Sequence, residues 1–432
     1  MRTATKIVAI AVLAVACRDA LALRLDYTVE LGLLHSDNIN LSATDPITET
    51  VLIPRLDFSI SESSSRVQAA VTGALEHRSY LDNTYGGEFR GTLNGLVNWT
   101  MVPERLNWVF ADNLGLYPIS LRAADVPGNL QQTNVFTTGP TLRFRLAPTL
   151  QGQAELRYID SYAEETSAFD SSRVSAAFRV LQQLSPTRRL SANVEAQEID
   201  FDDDLLANDY ARYSAFAGFT QTLSSIDLDA ALGYSYLEFD RGDNTSGPLA
   251  RARMDWRATE RSVFGLGASW QYSDAATSLA AGSAAFDPGL GGIGIGGAMI
   301  SPDVYRERRV DGSYAFRGVR LNLVTTLYAA TFRYEQDTLM VDADRDEVGA
   351  GVNLGYLLRP SMTLGVAAEA IRRNFDASDA LDRDFRYGIY FAQQLARHWR
   401  WRVDLSHYER NADEGAESFD ENSAFVRFAY TR

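Results

Sequence analysis

From Leu23 onward the chain alternates between apolar and polar positions. Leu23, Leu25, Tyr27, Val29, Leu31 and Leu33 are apolar, and Arg24, Asp26, Thr28 and Glu30 fall between them. Successive side chains on a strand point to opposite faces, so this pattern predicts a strand with one apolar and one polar face. The same period of two returns at Val67, Ala69, Val71, Gly73 and Leu75, and again at Leu93, Gly95, Val97 and Trp99. Ile226, Leu228, Ala230, Leu232 and Tyr234 alternate with Asp227 and Asp229; Ala250, Ala252, Met254 and Trp256 alternate with Arg251, Arg253, Asp255 and Arg257. Near the end Trp399, Trp401, Val403 and Leu405 alternate with Arg400, Arg402 and Asp404. No long stretch carries the 3.6-residue period of a helix.

The connections between these runs alternate as well. Short polar turns sit near 62–65, 102–105, 147–150, 185–188, 222–225, 258–261, 317–318, 358–361 and 396–398. Mostly longer, acidic or Gly-rich segments lie between them, at 35–50, 83–86, 117–134, 163–170, 201–208, 240–248, 274–304, 335–346, 375–384 and 411–420. Nineteen connections join twenty strands and leave both termini on one side. The runs, of about 9–14 residues, are long enough to cross a bilayer at a tilt, whereas sandwich strands have about five or six. In lipid every backbone polar group must be paired within the protein, so a spanning sheet closes on itself. The prediction is an all-β chain: a transmembrane, antiparallel, up-and-down β-barrel of about 20 strands, within roughly 18–22. Its short turns face the periplasm and its long loops face outward. Trp99, Trp108, Trp256, Trp399 and Trp401 all lie near short turns. That placement suits an aromatic girdle at the periplasmic interface.

Composition narrows the reading. The chain has 432 residues and a formal charge of −15, and of its 41 basic residues only Lys6 is not arginine. The acidic balance speaks against nucleic acid as a partner. A single cysteine, Cys17, excludes a disulfide framework, a thiolate zinc site and an iron–sulfur cluster. At the N-terminus Arg2 and Lys6 precede an apolar run, Ile7 to Ala16, and then Ala20-Leu21-Ala22. This predicts a secretory signal peptide over 1–22, cut after Ala22, and a single barrel over 23–432. Acylation at Cys17 is the alternative; it lacks the Leu usual three residues upstream, where Ala14 stands.

Strand parity predicts which side chains line the lumen. The candidate solute contacts are Glu155, Arg157, Asp227, Asp229, Arg251, Arg253, Arg257, Arg309, Arg320, Arg400 and Arg402. Guanidinium forks bind carboxylates bidentately, which makes 251–257 and 400–402 the strongest candidates for anion contact. Pairing across strands, merely solvating the wall, is the alternative role. Two connections stand out: 274–304, rich in Gly and Ala, and 117–134, with Arg122, Asp125, Pro127 and Gly128. Either could fold into the mouth; an outer loop is the expectation slightly favoured. Catalytic chemistry is not expected. His35, His77, His398 and His407 are scattered, and His35-Ser36-Asp37 is the kind of grouping that chance supplies among 56 acids. Asp37, Asp45 and 202–204 lack calcium-loop spacing, and no Gly-rich phosphate loop follows a strand. No metal or cofactor is expected.

Tyr27 to Leu33 leads into His35-Ser36-Asp37-Asn38-Ile39-Asn40-Leu41, an Asp-Asn motif opening the first loop. With Asn134 to Thr141 and Asp303 to Val310, it resembles the outer-membrane β-barrel porin family associated with exopolysaccharide and exosortase loci. One departure is the C-terminus, where the last aromatic, Tyr430, stands two positions before the end. The resemblance implies a channel of the bacterial cell outer membrane serving exopolysaccharide export, and no catalytic residues. A general or solute-selective porin is the alternative, and a non-conducting barrel in adhesion or biofilm assembly a third. Expected partners are outer-membrane lipid and lipopolysaccharide, a polysaccharide or small polar solute, and periplasmic secretion components.

Overall fold

A computed structural model describes residues 23–203, 205–282, 299–336, 344–413 and 416–432. The expected signal peptide lies outside the described residues.

Twenty strands form one sheet. The first ten are β1 (Arg24–Ser36), β2 (Glu49–Ser63), β3 (Val67–Tyr80), β4 (Glu88–Val102), β5 (Leu106–Pro118), β6 (Leu130–Ala147), β7 (Leu150–Ala163), β8 (Ser171–Ser185), β9 (Arg188–Phe201) and β10 (Tyr210–Thr222). The rest are β11 (Ile226–Phe239), β12 (Thr245–Thr259), β13 (Ser262–Ser273), β14 (Tyr305–Arg317), β15 (Leu321–Tyr334), β16 (Arg345–Arg359), β17 (Met362–Phe375), β18 (Ala380–Gln394), β19 (Trp399–Asn411) and β20 (Phe419–Thr431). Each strand pairs antiparallel with the next, and β20 closes on β1 in the register Thr28↔Thr431 to Ser36↔Ser423. Closure removes both sheet edges, as a lipid-embedded sheet requires.

The Asp-Asn motif sits at the outer end of this seam. The Asp37 carboxylate accepts from the Asn422 backbone N–H at 2.7 Å and its side-chain amide at 2.8 Å. Buried Asn38 donates to Asp420 O at 2.8 Å and Ser42 O at 2.9 Å. The motif thus folds the first loop and ties it to the last strand.

Register divides the side chains into two faces. Leu25, Leu31, Leu75, Leu266, Leu327 and Val348 point outward and are exposed; Leu232 is 69 % exposed. A water-soluble chain rarely leaves so continuous an apolar band uncovered, but lipid covers it. Beside the short turns the band ends in stacked aromatics. Trp99 opposes Trp108. Trp256 lies 5.3 Å from Phe264, and Trp399 lies 5.0 Å from both Phe428 and Tyr430. Tyr430 thus joins the girdle although it is not the terminal residue.

Two expectations need correcting. The 375–384 connection is only residues 376–379, because β18 starts at Ala380 and its inward carboxylates Asp382 and Asp384 find arginine partners inside the barrel. The connections 117–134 and 274–304 were expected outside the mouth, yet their described parts fold into it. Residues 119–129 reach the wall at β18–β20, and a short helix, α1 (Ala275–Gly282), packs against β6, β14 and β15. The physical reason is shared: apolar residues in both connections bury against inward-facing aromatics, and buried arginines receive their polar groups.

Candidate functional site in the barrel lumen

The inner half of the lumen carries charges of both signs, most of them partly solvated. Within strands, residues two apart share the inward face and pair: Arg253 with Asp255 at 3.2 Å, Arg309 with Asp311 at 3.4 Å and Arg402 with Asp404 at 2.6 Å. Across strands Arg179 bridges Glu155 and Glu195, each at 2.9 Å, and Arg427 adds a second partner to Asp404 at 2.9 Å. A cavity of ≈ 750 Å³ opens against the wall of β8–β14, lined among others by Arg179, Asn193, Glu195, Phe216, Asp229, Arg251, Arg253 and Asp311. Arg251 stacks over Phe216, 5.3 Å from the ring centroid, and makes no ion pair among the described residues. Arg253 is 65 % exposed despite its Asp255 partner.

The candidate contacts separate into three groups. Asp229, Arg251 and Arg253 meet in the cavity, and Arg309 borders it through Asp311 while covering Tyr328 at 4.6 Å. Glu155 connects to the cavity through Arg179. Arg157, Arg257 and Asp227 serve the wall. Gly139 has φ +154°, where a Cβ would lie 2.0 Å from Leu156 O, and Pro140 lacks an N–H. The β6–β7 ladder skips this pair, and Arg157 spans the gap with bonds of 2.6 Å to Pro140 O and 2.6 Å to Thr141 Oγ1. Arg257 holds the β10–β11 turn through Leu223 O at 3.1 Å, Ser224 O at 3.2 Å and Asp227 at 2.7 Å. Arg400 and Arg402 lie on β19, away from the cavity strands, and exposed Arg320 lies in the β14–β15 turn.

The outer half differs. A chain of charges, Arg345–Glu347–Arg373–Asp384–Arg410, runs across β16–β19 and is buried, with Arg345 at 0 % exposure. Arg410 donates to Asp384 at 2.7 Å and to Ala123 O and Leu121 O at 2.8 and 3.2 Å, which pins residues 119–129. Arg122 of that loop lies 3.6 Å from Asp382 and 5.3 Å from the Phe375 centroid. Asn129 knits the loop to itself through Ser120 N and Ser120 O, both at 2.9 Å. On the far side Asp274 caps α1 through Thr277 N at 3.0 Å and pairs with buried Arg173 at 2.7 Å. Burial opposes ionisation of Asp274, yet Arg173, Arg212 and the Thr277 bonds outweigh it and hold the carboxyl well below the usual carboxylate range. Parity alone assigns these strand residues to the inner face. It carries no signal that loops will cover them.

The histidines do not converge. His35 meets Thr50, His407 meets Asn422, His398 meets Thr431 O and His77 meets Ser79. Among the described residues no three of His, Cys, Asp and Glu are grouped to hold a metal.

A closed sheet, apolar outside and charged within, girdled by aromatics, is an outer-membrane β-barrel of the bacterial type. No family model matches the sequence, and no curated protein matches it. Among solved structures, the outer membrane protein OpdK from Pseudomonas aeruginosa aligns at 12% identity and a TM-score of 0.37, covering 95% of this chain and 99% of its own. OccK2 from the same organism gives 12% and 0.39, with 95% and 98% covered. The FrpB iron transporter of Neisseria meningitidis gives 10% and 0.45, with 94% and 82% covered. Likeness at this level says nothing of solute or partner.

Proposed function

We propose that the protein is a solute-selective channel, passing small polar and anionic molecules through the inner cavity. The observation that carries this is the pair Arg251 and Arg253 on the wall of a ≈ 750 Å³ cavity that Asp229 and Asp311 also line. Interleaved cationic and acidic side chains, with loops folded into the mouth above them, suit sorting of small solutes by charge and size. An exopolysaccharide conduit calls for an arginine-lined passage open through both halves, and the buried outer-half charges give that reading less support.

The test is single-channel conductance of refolded residues 23–432 in a planar bilayer. Arg251→Glu and Arg253→Glu are expected to lower anion preference while the barrel still migrates differently boiled and unboiled. Unchanged selectivity in both variants overturns the assignment of these arginines. A folded barrel without conductance overturns the channel reading in favour of an adhesion or assembly role.

A further inference from the structure

At the outer end of the wall the outward-facing arginines are confined to one sector. Register places Arg306, Arg308, Arg333, Arg372 and Arg383 in outward positions at the outer ends of β14, β15, β17 and β18. On the other described strands the outward arginines are Arg188 and Arg359, both at periplasmic strand ends. In a chain of charge −15 this cluster does not follow from composition. The opposite tendency holds on β9 and β11, where Glu198, Asp200 and Glu238 face outward at the same end.

Three of the five arginines have no anionic partner among the described residues. Arg333 pairs with Asp346 and Asp376, each at 3.0 Å, and Arg306 pairs with Glu335 at 2.6 Å. Arg372 and Arg383 stand directly opposite one another across β17 and β18, both exposed. Like charges in that position repel unless an anion sits between them. Exposed Arg308 lies over the Trp270 ring at 4.8 Å. All three are within three residues of the outer strand ends, where headgroups begin. Apolar surface lies beside them: Val348 opposite Arg372, Val310 next along from Arg308 and Phe385 next along from Arg383, all exposed. A guanidinium row above an apolar strip matches an amphiphile with phosphate at its head and acyl chains below.

We propose that the outer ends of β14–β18 bind the phosphate groups of an outer-leaflet glycolipid, with Arg308, Arg372 and Arg383 as the principal contacts. The site is independent of the lumen and of what passes through it.

The experiment titrates the folded barrel in detergent with bisphosphorylated lipid A and reads bound lipid by native mass spectrometry. Wild type is expected to retain it, and Arg308→Gln/Arg372→Gln/Arg383→Gln to bind on the order of a hundredfold more weakly. Glu198→Gln/Glu238→Gln should bind as wild type does. If the triple variant does not fold, Arg372→Gln and Arg383→Gln singly carry the test, since neither side chain has an ion-pair partner among the described residues. Equal binding of dephosphorylated lipid A, or equal binding by the arginine variants, overturns the proposal. Competition by millimolar inorganic phosphate alone overturns the lipid assignment in favour of a free-anion site.

Discussion

The two halves of the lumen use the same residue types to opposite ends. In the inner half Arg253, Asp255, Arg257 and Asp227 are paired yet more than a third exposed. In the outer half Arg345, Glu347, Arg373, Asp384 and Arg410 are paired and nearly sealed from solvent. What differs is the cover. The β5–β6 connection and α1 fold over the outer residues, and four clusters of buried apolar side chains form at that end of the wall. Wet charges remain free to exchange their partner for a passing solute; dry ones are fixed, because a buried charge without its partner is costly. On the proposed function the inner half sorts solutes, while the outer half holds the folded-in loops in place.

The largest test of this contrast removes a dry carboxylate. Asp384→Ala leaves Arg373 and Arg410 uncompensated and should cost about 3–5 kcal/mol, read as a lower urea midpoint for the folded barrel. An unchanged midpoint would mean that water reaches the outer half. Next in size is Asn129→Ala, which unties residues 119–129 from Ser120. It should loosen that loop by about 1–3 kcal/mol, seen as faster amide exchange over 119–129 with the strands still protected.

Acid probes the α1 attachment. The Asp274 carboxyl is held below its unfolded value of about 3.9, so its stabilisation is fully present above that value and is lost as pH falls through the lower folded value. Amide exchange over 275–282 should thus remain slow at about pH 4 and speed up only in stronger acid. The smallest effect belongs to the wet half. Arg253→Gln should change stability by less than about 1 kcal/mol, since its pair with Asp255 is solvated, while shifting ion selectivity. A destabilisation as large as that of Asp384→Ala would erase the distinction.

Much of the wall was legible in the sequence because a strand's facing is a local property. The period of two around Leu23–Leu33 and Ile226–Tyr234 gives the strands, and Val-Pro-Glu-Arg at 102–105 marks a turn without reference to anything distant. Destinations were not legible. That Arg410 would receive the carbonyls of Leu121 and Ala123, almost three hundred residues away in the chain, depends on closure and on which wall the loop reaches. Arg157 shows the same limit on a smaller scale. Its parity is inward, but Gly139-Pro140 interrupts the neighbouring ladder and takes the guanidinium for itself. The outward facing of the arginines of β14–β18 is legible too, since parity alone gives it.

The most direct measurement exploits the absence of cysteine from residues 23–432. Single cysteines placed in the inner cavity, Thr220→Cys and Ser269→Cys, and in the outer core, Ala276→Cys and Ala330→Cys, are exposed to a small charged thiol reagent in the folded barrel. Rapid labelling of the first pair is expected, with protection of the second until the barrel unfolds. Equal labelling rates at all four positions would contradict that contrast.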